Sequence, residues 1–421
     1  MRRALAITLA LFAVVYALAL IRYAPPAPAP ADAPADRFSA TRARDVHRRL
    51  VDDGRTRWVG SEGNARGRGV IIAELEKLGW IVEPQHAWSC TFHAACAPVA
   101  NVVARLPGGA PGEHDSVLIT AHHDSVLSGP GASDDGLGTV TLLETARALA
   151  AGPRPRRTIV AVFTDGEEGG LLGASAFVHH PLARTIGATV NVDARGSRGP
   201  SQMFETSGGN AWLVALVAKH LERPVTTSLF YEVYKRMPND TDFTVTKTIA
   251  SGVNFANTAG IEHYHTPHDD LSSSDPRTLQ HHGDHVLAMT RALAEAEIGA
   301  ARLPAEDAVW FDVLAVGIVY WPARWSMLLA LVALALVVGQ AIRARSWDRG
   351  LAVIVSLVPG VLAALGVGWL LRAAGALPAF WIAHPLPALG AIHFAVGAAV
   401  VGTALALARR STPRALWAGT W

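Results

Sequence analysis

Short apolar runs at 100–105, 116–121, 158–163 and 188–192 alternate along the chain with stretches of helical periodicity at 63–78, 136–150 and 209–221. Apolar runs of five or six residues bounded by turn residues read as buried strands. Recurrence every three or four residues reads as helix, as for Val70, Ile71, Leu75 and Leu78 before Gly79. A further helical pattern begins at Arg37. The alternation predicts an α/β fold with a mixed, largely parallel central sheet and helices on both faces. Ligands of such sheets bind outside the carboxyl ends of the strands. Polar residues gather there: His122 after 116–121, Asp165 to Glu168 after 158–163, and Asp193 at the end of 188–192.

Four uncharged runs break this pattern, at 4–21, 326–342, 351–371 and 389–408. Each reaches or approaches the roughly 20 residues that cross a bilayer core. They predict an N-terminal signal anchor or transmembrane helix at 1–23 and three transmembrane helices within 326–408. Arginines orient the spans, because short cytoplasmic loops collect Lys and Arg. Arg2 and Arg3, then Arg343, Arg345 and Arg349, then Arg409, Arg410 and Arg414 fall on one side, against Arg22, Arg324 and Arg372 on the other. The expectation is a multi-pass membrane protein, in the inner membrane if bacterial, with the lipid bilayer as a partner. Both termini are then cytoplasmic, with residues 409–421 as a tail, and the folded part is extracytoplasmic. Residues 24–36, APPAPAPADAPAD, read as an extended Pro/Ala linker. Residues 37–300 form the folded domain and 301–325 a juxtamembrane segment.

Composition supports a part lying in a membrane and points to no particular polyanionic partner. Of 421 residues 50% are hydrophobic, and the formal charge is only +2. No basic cluster interleaves with aromatics, so nucleic acid is not indicated. The two cysteines, Cys90 and Cys96, are six positions apart in CTFHAAC. An isolated even pair in an exported domain suggests a local disulfide. The histidine pairs His179-His180 and His281-His282 read as surface features. Nothing in the sequence sets the oligomeric state.

The chemistry lies in LITAHHDS (118–125), GASDDGLG (131–138), FTDGEEGGLLGAS (163–175), NVDARG (191–196) and YHTPHDD (264–270). This is a ligand list for a two-zinc hydrolase: zinc takes imidazole nitrogen and carboxylate oxygen, and paired metals need a carboxylate between them. His122 is expected to ligate while Asp124 orients its ring. Asp134 is assigned as the bridge, leaving Asp135 to cap helix 136–150 or support the site. Of Glu167 and Glu168, one binds metal and the other carries the proton from attacking water to the leaving amine. Asp193 ends a strand, and spacing leaves His263, His265 and His268 open as the last ligand.

The order His-x-Asp, Gly-x-x-Asp-Asp-Gly, Asp-Gly-Glu-Glu-Gly-Gly-Leu-Leu-Gly, Asn-x-Asp and Tyr-His-Thr-x-x-Asp resembles the co-catalytic zinc aminopeptidases of clan MH over about residues 55–295. NVDARGSRGPSQMFETS and MPNDTDF are most similar to the membrane-anchored vacuolar and endoplasmic-reticulum metallopeptidases of that group. The resemblance implies a zinc exopeptidase-like fold for 37–300. It implies one Zn2+ on His122, Asp134 and Asp193 and another on Asp134, Glu168 and His265. Glu167 is then the general base, Asp124 the carboxylate behind His122, and Tyr264 a donor to the oxyanion. The activity implied is aminopeptidase action on peptides with a free N-terminus. The alternatives are glutaminyl cyclase, a carboxypeptidase, which would need an arginine cluster for the terminal carboxylate where the sequence offers Arg195 and Arg198 but no clear cluster, and a metal-free receptor or scaffold.

Overall fold

The structure, a computed structural model, describes residues 2–51, 54–109, 115–298, 306–343, 347–374 and 390–399. It divides into two compact units, Val14–Ala323 and the remainder, Met1–Ala13 with Arg324 onward. In chain order the helices are α1 (Arg2–Tyr23), α2 (Ala40–Val51), α3 (Glu62–Lys77), α4 (Gly136–Ala150), α5 (Leu172–Phe177), α6 (Ala211–His220), α7 (Ser228–Tyr234), α8 (Asp242–Thr246), α9 (Pro276–Glu295), α10 (Ser326–Arg343) and α11 (Trp347–Ala373). The strands are β1 (Ile81–Cys90), β2 (Cys96–Leu106), β3 (Ser116–His122), β4 (Ile159–Thr164), β5 (Ile186–Ala194), β6 (Gln202–Thr206), β7 (Ser251–Asn257), β8 (Ala308–Val313) and β9 (Gly317–Pro322).

Seven strands form one sheet in the order β1-β2-β4-β3-β5-β7-β6. Its centre, β4-β3-β5-β7, is parallel, while β1, β2 and β6 join antiparallel at the edges. Every residue of β3, β4 and β5 is buried, as strands covered on both faces require. Helices α2, α4 and α9 pack on one side, with α4 between sheet and outer layer, and α5 and α8 on the other. The chain leaves β3 for β4 on one flank and returns to β5 on the other flank. That reversal opens a crevice at the carboxyl ends of β3 and β5, where His122 and Asp193 stand.

The membrane-spanning part of the expected fold is overturned: among the described residues no helix is long and apolar enough to cross a membrane. The apolar runs are broken or bounded within their helices. α10 has 18 residues and holds Gln340 and Arg343 in its last turns, giving a rise of about 27 Å against a bilayer core of about 30 Å. α11 carries Pro359 inside and Asp348, Arg349 and Arg372 near its ends. Of the run at 389–408 only 390–399 lies among the described residues, as helix. α1 ends on Arg22 and Tyr23, which bond to the carbonyls of Leu314 and Ala315 and to the Asp312 carboxylate. The orientation argued from arginine placement falls with the spans.

The segment read as juxtamembrane is instead a hairpin, β8 paired with β9, whose Trp310 is buried in the core and donates its indole N–H to Thr226. The Pro/Ala segment does not stand clear of the domain. Ser39 Oγ donates to the carbonyls of Ala29 and Pro30, Arg42 to those of Ala31 and Ala33, and Arg147 to that of Ala35. Proline removes the chain's own amide donors, so its carbonyls serve as acceptors for the helices beneath.

Of the two histidine pairs read as surface features, only His179 is exposed. His180 is buried and stacks on Phe177. His281 and His282 on α9 are buried beside His285. His281 Nδ1 accepts from the Ser201 amide, and its Nε2 faces the Arg223 carbonyl, which fixes a neutral ring. Burial pushes His281 down to about 4 and His282 to about 3. An unfolded histidine protonates near 6.5, so this contribution is whole above that pH and is lost as pH falls towards 4. At pH 5 each ring should cost about 2 kcal/mol of stability. Denaturation at pH 7.5, 6 and 5 should show this, and His282→Gln should flatten the slope relative to wild type; parallel slopes would refute the assignment.

Candidate metal centre

The turn between β3 and α4 is set by Gly131, whose φ of +63° and approach to the Asp134 carbonyl exclude a side chain. Asp135, not Asp134, caps α4, accepting from the Gly138 amide at 2.9 Å. That leaves the Asp134 carboxylate free, with its amide held by Asp269 Oδ2 at 3.0 Å. After β4 the chain turns through Glu167 and Glu168 into α5. Gly173 lets that turn close, because a Cβ there would fall within 2.5 Å of Asn101 Oδ1 and the Asp165 backbone.

Asp134 lies at the centre of the expected ligands. Its Oδ1 is 3.2 Å from His122 Nε2, and its Oδ2 is 3.0 Å from His265 Nε2. Asp193 Oδ1 lies 4.0 Å from the same nitrogen of His122, and Glu168 Oε1 lies 3.0 Å from that of His265. The structure thus brings all five residues together. His122, Asp134 and Glu168 place ligand atoms within 4.8 Å of one another. His263 and His268 go elsewhere: His263 Nδ1 pairs with Ser197 Oγ, and His268 is exposed. His265 has a left-handed backbone, φ +57°, a region that few residues other than glycine adopt and that histidine adopts more readily than most.

These residues fit a divalent metal. Asp134 Oδ2 and Glu168 Oε1 each lie 3.0 Å from His265 Nε2, yet all three atoms are buried without a hydrogen-bond partner. Burial raises the proton affinity of Asp193 and Glu167 well above the carboxylate range and that of Glu168 to about 7. Burial would depress His265, but its contacts with Asp134 and Glu168 push it up to about 10. Crowded buried carboxylates gathered around two ring nitrogens call for a cation, and an N/O set of this type suits zinc.

The remaining site residues surround this cluster. Asp124 accepts from the amides of Glu167 and Glu168 at 3.1 and 3.2 Å, and its Oδ1 is 3.3 Å from His122 Nδ1. One buried carboxylate therefore braces both the first histidine and the glutamate turn. Tyr264 stacks on His265 with ring centroids 3.7 Å apart. Glu167, Tyr264, Asp134, Glu168 and Asp193 line a cavity of about 640 Å³. Its apolar wall is Phe204, Leu229, Phe230, Val233 and Met237. Cys90 and Cys96 are joined by a disulfide beside the rim, where His93 lies 3.4 Å from Asp240.

Sequence reasoning missed two supports. Arg57 is wholly buried and donates to the carbonyls of His123, Pro130 and Gly131, pinning the metal-binding loop. Asp269 holds the amides of Ser133 and Asp134. Arg57 carries no motif signal; Asp269 stood in the Tyr-His-Thr-x-x-Asp segment without a role.

Such a sheet with a carboxylate and imidazole centre at its strand ends defines a zinc metallopeptidase domain. Residues 101–290 match the model of Peptidase family M28. It is 32% identical over 234 residues to endoplasmic reticulum metallopeptidase 1 of Rattus norvegicus, covering 54% of this chain and 26% of that protein. It is 33% identical over 202 residues to the vacuolar membrane protease of Yarrowia lipolytica, covering 47% and 20%. The chain thus spans about a quarter or less of the length of these relatives. A Zn-dependent exopeptidase from Parabacteroides distasonis shares the fold with a TM-score of 0.50, at 20% identity over 61% of this chain and 99% of that one.

Asp124→Asn should keep the fold and weaken zinc binding about 10- to 100-fold, the usual effect of removing a partner behind a ligand. Competition with a chromogenic chelator measures it, and unchanged affinity would remove Asp124 from the site.

Proposed function

We propose that the chain is an aminopeptidase holding two zinc ions and acting on peptides with a free N-terminus. The observation that carries this reading is Asp134, whose two oxygens address two different histidines, each with a second carboxylate of its own. When bound, zinc lowers the pKa of a coordinated water and polarises the scissile carbonyl. Glu167 takes the proton from the attacking water and returns it to the leaving amine. Asp124 holds the amides of the glutamate turn, and the Tyr264 hydroxyl donates to the developing oxyanion. The apolar wall of the cavity receives the side chain of the N-terminal residue.

Metal content of the full chain, with hydrolysis of a panel of aminoacyl-anilides and glutaminyl peptides, tests this. The expected result is about two zinc per chain, release of free N-terminal residues, loss of activity with a chelator and its return with zinc. One zinc with pyroglutamate formation would make the protein a cyclase, and no metal with no turnover a scaffold. Association with membrane is also part of the proposal, supported by the names of the relatives and by exposed Val14, Tyr16, Leu20 and Ile21 on α1. It implies no spanning helix, and release of the whole protein into the soluble fraction on lysis would refute it.

A further inference from the structure

We propose that Arg195 clamps a carboxylate on the leaving side of the scissile bond, so that the preferred substrates are short peptides carrying that charge; this rests on the aminopeptidase reading above. Arg195 follows β5 two residues after Asp193, and its amide donates to the Asn257 carbonyl at 2.9 Å, which fixes its backbone. The side chain is half-buried and lines the cavity. Its guanidinium carbon lies 5.8 Å from the centroid of the Tyr264 ring, the ring that stacks on His265. That distance is within cation–π range, and the contact uses none of the guanidinium N–H groups, which remain for a planar, two-oxygen partner.

Among the described residues no carboxylate forms an ion pair with Arg195, although Asp134, Glu167, Glu168 and Asp193 line the same cavity. Arg198 differs: it is exposed and paired with Glu262 at 2.9 Å. The two arginines noted in the sequence therefore separate into one surface pair and one cation that faces the cavity without an anion. A half-buried cation of this kind is matched by a charged acceptor on the ligand.

Substrate chemistry says which one. A short peptide with a free N-terminus carries a positive charge at that end, and the fixed negative charge of a di- or tripeptide is its terminal carboxylate, beyond the bond to be cut. Residues extend about 3.3–3.6 Å each, so a carboxylate one residue past the scissile carbonyl lies several ångströms from the metal centre. Arg195 lines the same cavity as Asp134, Glu167, Glu168 and Asp193, beside the Tyr264 ring that neighbours His265. An acidic side chain in the residue after the scissile bond presents the same group.

The test compares Leu-Ala, Leu-Ala-amide and Leu-Asp-amide on the full chain, as wild type, Arg195→Lys and Arg195→Met, with melting temperatures to check folding. The wild type should favour Leu-Ala over its amide by about 10- to 100-fold in kcat/KM, mostly through KM. Arg195→Met should collapse the ratio towards one, and Arg195→Lys should keep part of it. Leu-Asp-amide cut as well as Leu-Ala assigns the clamp to any carboxylate there; cut as poorly as Leu-Ala-amide, it assigns the clamp to the chain terminus. Both support it. A wild-type ratio near one, or a ratio that survives in Arg195→Met, overturns it. If no peptide is hydrolysed, the aminopeptidase reading fails, and the calorimetric affinities of Glu167→Ala for Leu-Ala and its amide still decide the clamp by the same ratio.

Discussion

Glu167→Ala should lower kcat by about 10²- to 10⁴-fold while metal content and KM stay near wild type. The separation follows from where the residue is held. Its amide, not its carboxylate, is bonded to Asp124, so the glutamate turn keeps its shape when the side chain is cut back. Glu168 supplies the carboxylate oxygen that faces His265 and Asp134, and the Glu167 side chain points into the cavity. Loss of hydration raises its proton affinity well above the ordinary glutamate value, partly offset by His122. A base of raised pKa is the better proton carrier near neutrality. Metal analysis beside steady-state kinetics decides the matter. Loss of one metal in Glu167→Ala, with Glu168→Ala keeping both, would exchange the two roles. Near-normal turnover would mean that neither assignment of the base is right.

The parts of this site that were legible in the sequence lie within a few residues of a buried strand end. His122, Glu167, Glu168 and Asp193 follow or close β3, β4 and β5, whose unbroken apolar runs signal burial on both faces. Edge strand β1 and interior strand β7 were not legible. β1 alternates weakly and contains Pro84, and β7 carries Ser251, Asn254 and Asn257, the last two bonded to Asn191 and to the Gly196 carbonyl far along the chain. Helix α9 had a readable start in Asp275 and Pro276, but its buried histidines disguise the apolar face. Arg57 and Asp269 were hidden for another reason. Each holds backbone groups of a loop distant in sequence, and a hydrogen bond to backbone leaves no pattern of residue types at the receiving end. The uncharged terminal runs misled because a count of apolar residues ignores Pro359, Gln340 and the docking of Arg22 and Tyr23.

Asp134→Ala should empty both metal positions and reduce activity below detection, a larger effect than any other single change. Each histidine would keep one carboxylate, Asp193 4.0 Å from His122 and Glu168 3.0 Å from His265, and each position would have two protein ligands in place of three. Asp193→Ala and Glu168→Ala should each empty one position, so the triad of variants distinguishes a shared ligand from two private ones. The fold should survive, because Asp269 holds the amides of Ser133 and Asp134 rather than the Asp134 side chain. Thermal denaturation then gives a reading free of catalysis. Metal that binds only the folded state adds about 2.7 kcal/mol at a hundred times its Kd, so zinc should raise the wild-type melting temperature and leave that of Asp134→Ala unchanged. Without metal the variant should be no more stable than wild type, because burial of the Asp134 carboxyl is outweighed by contacts with His122 and His265, which hold it below the usual carboxylate range. A variant that still gains stability from zinc would show that the two positions do not share Asp134.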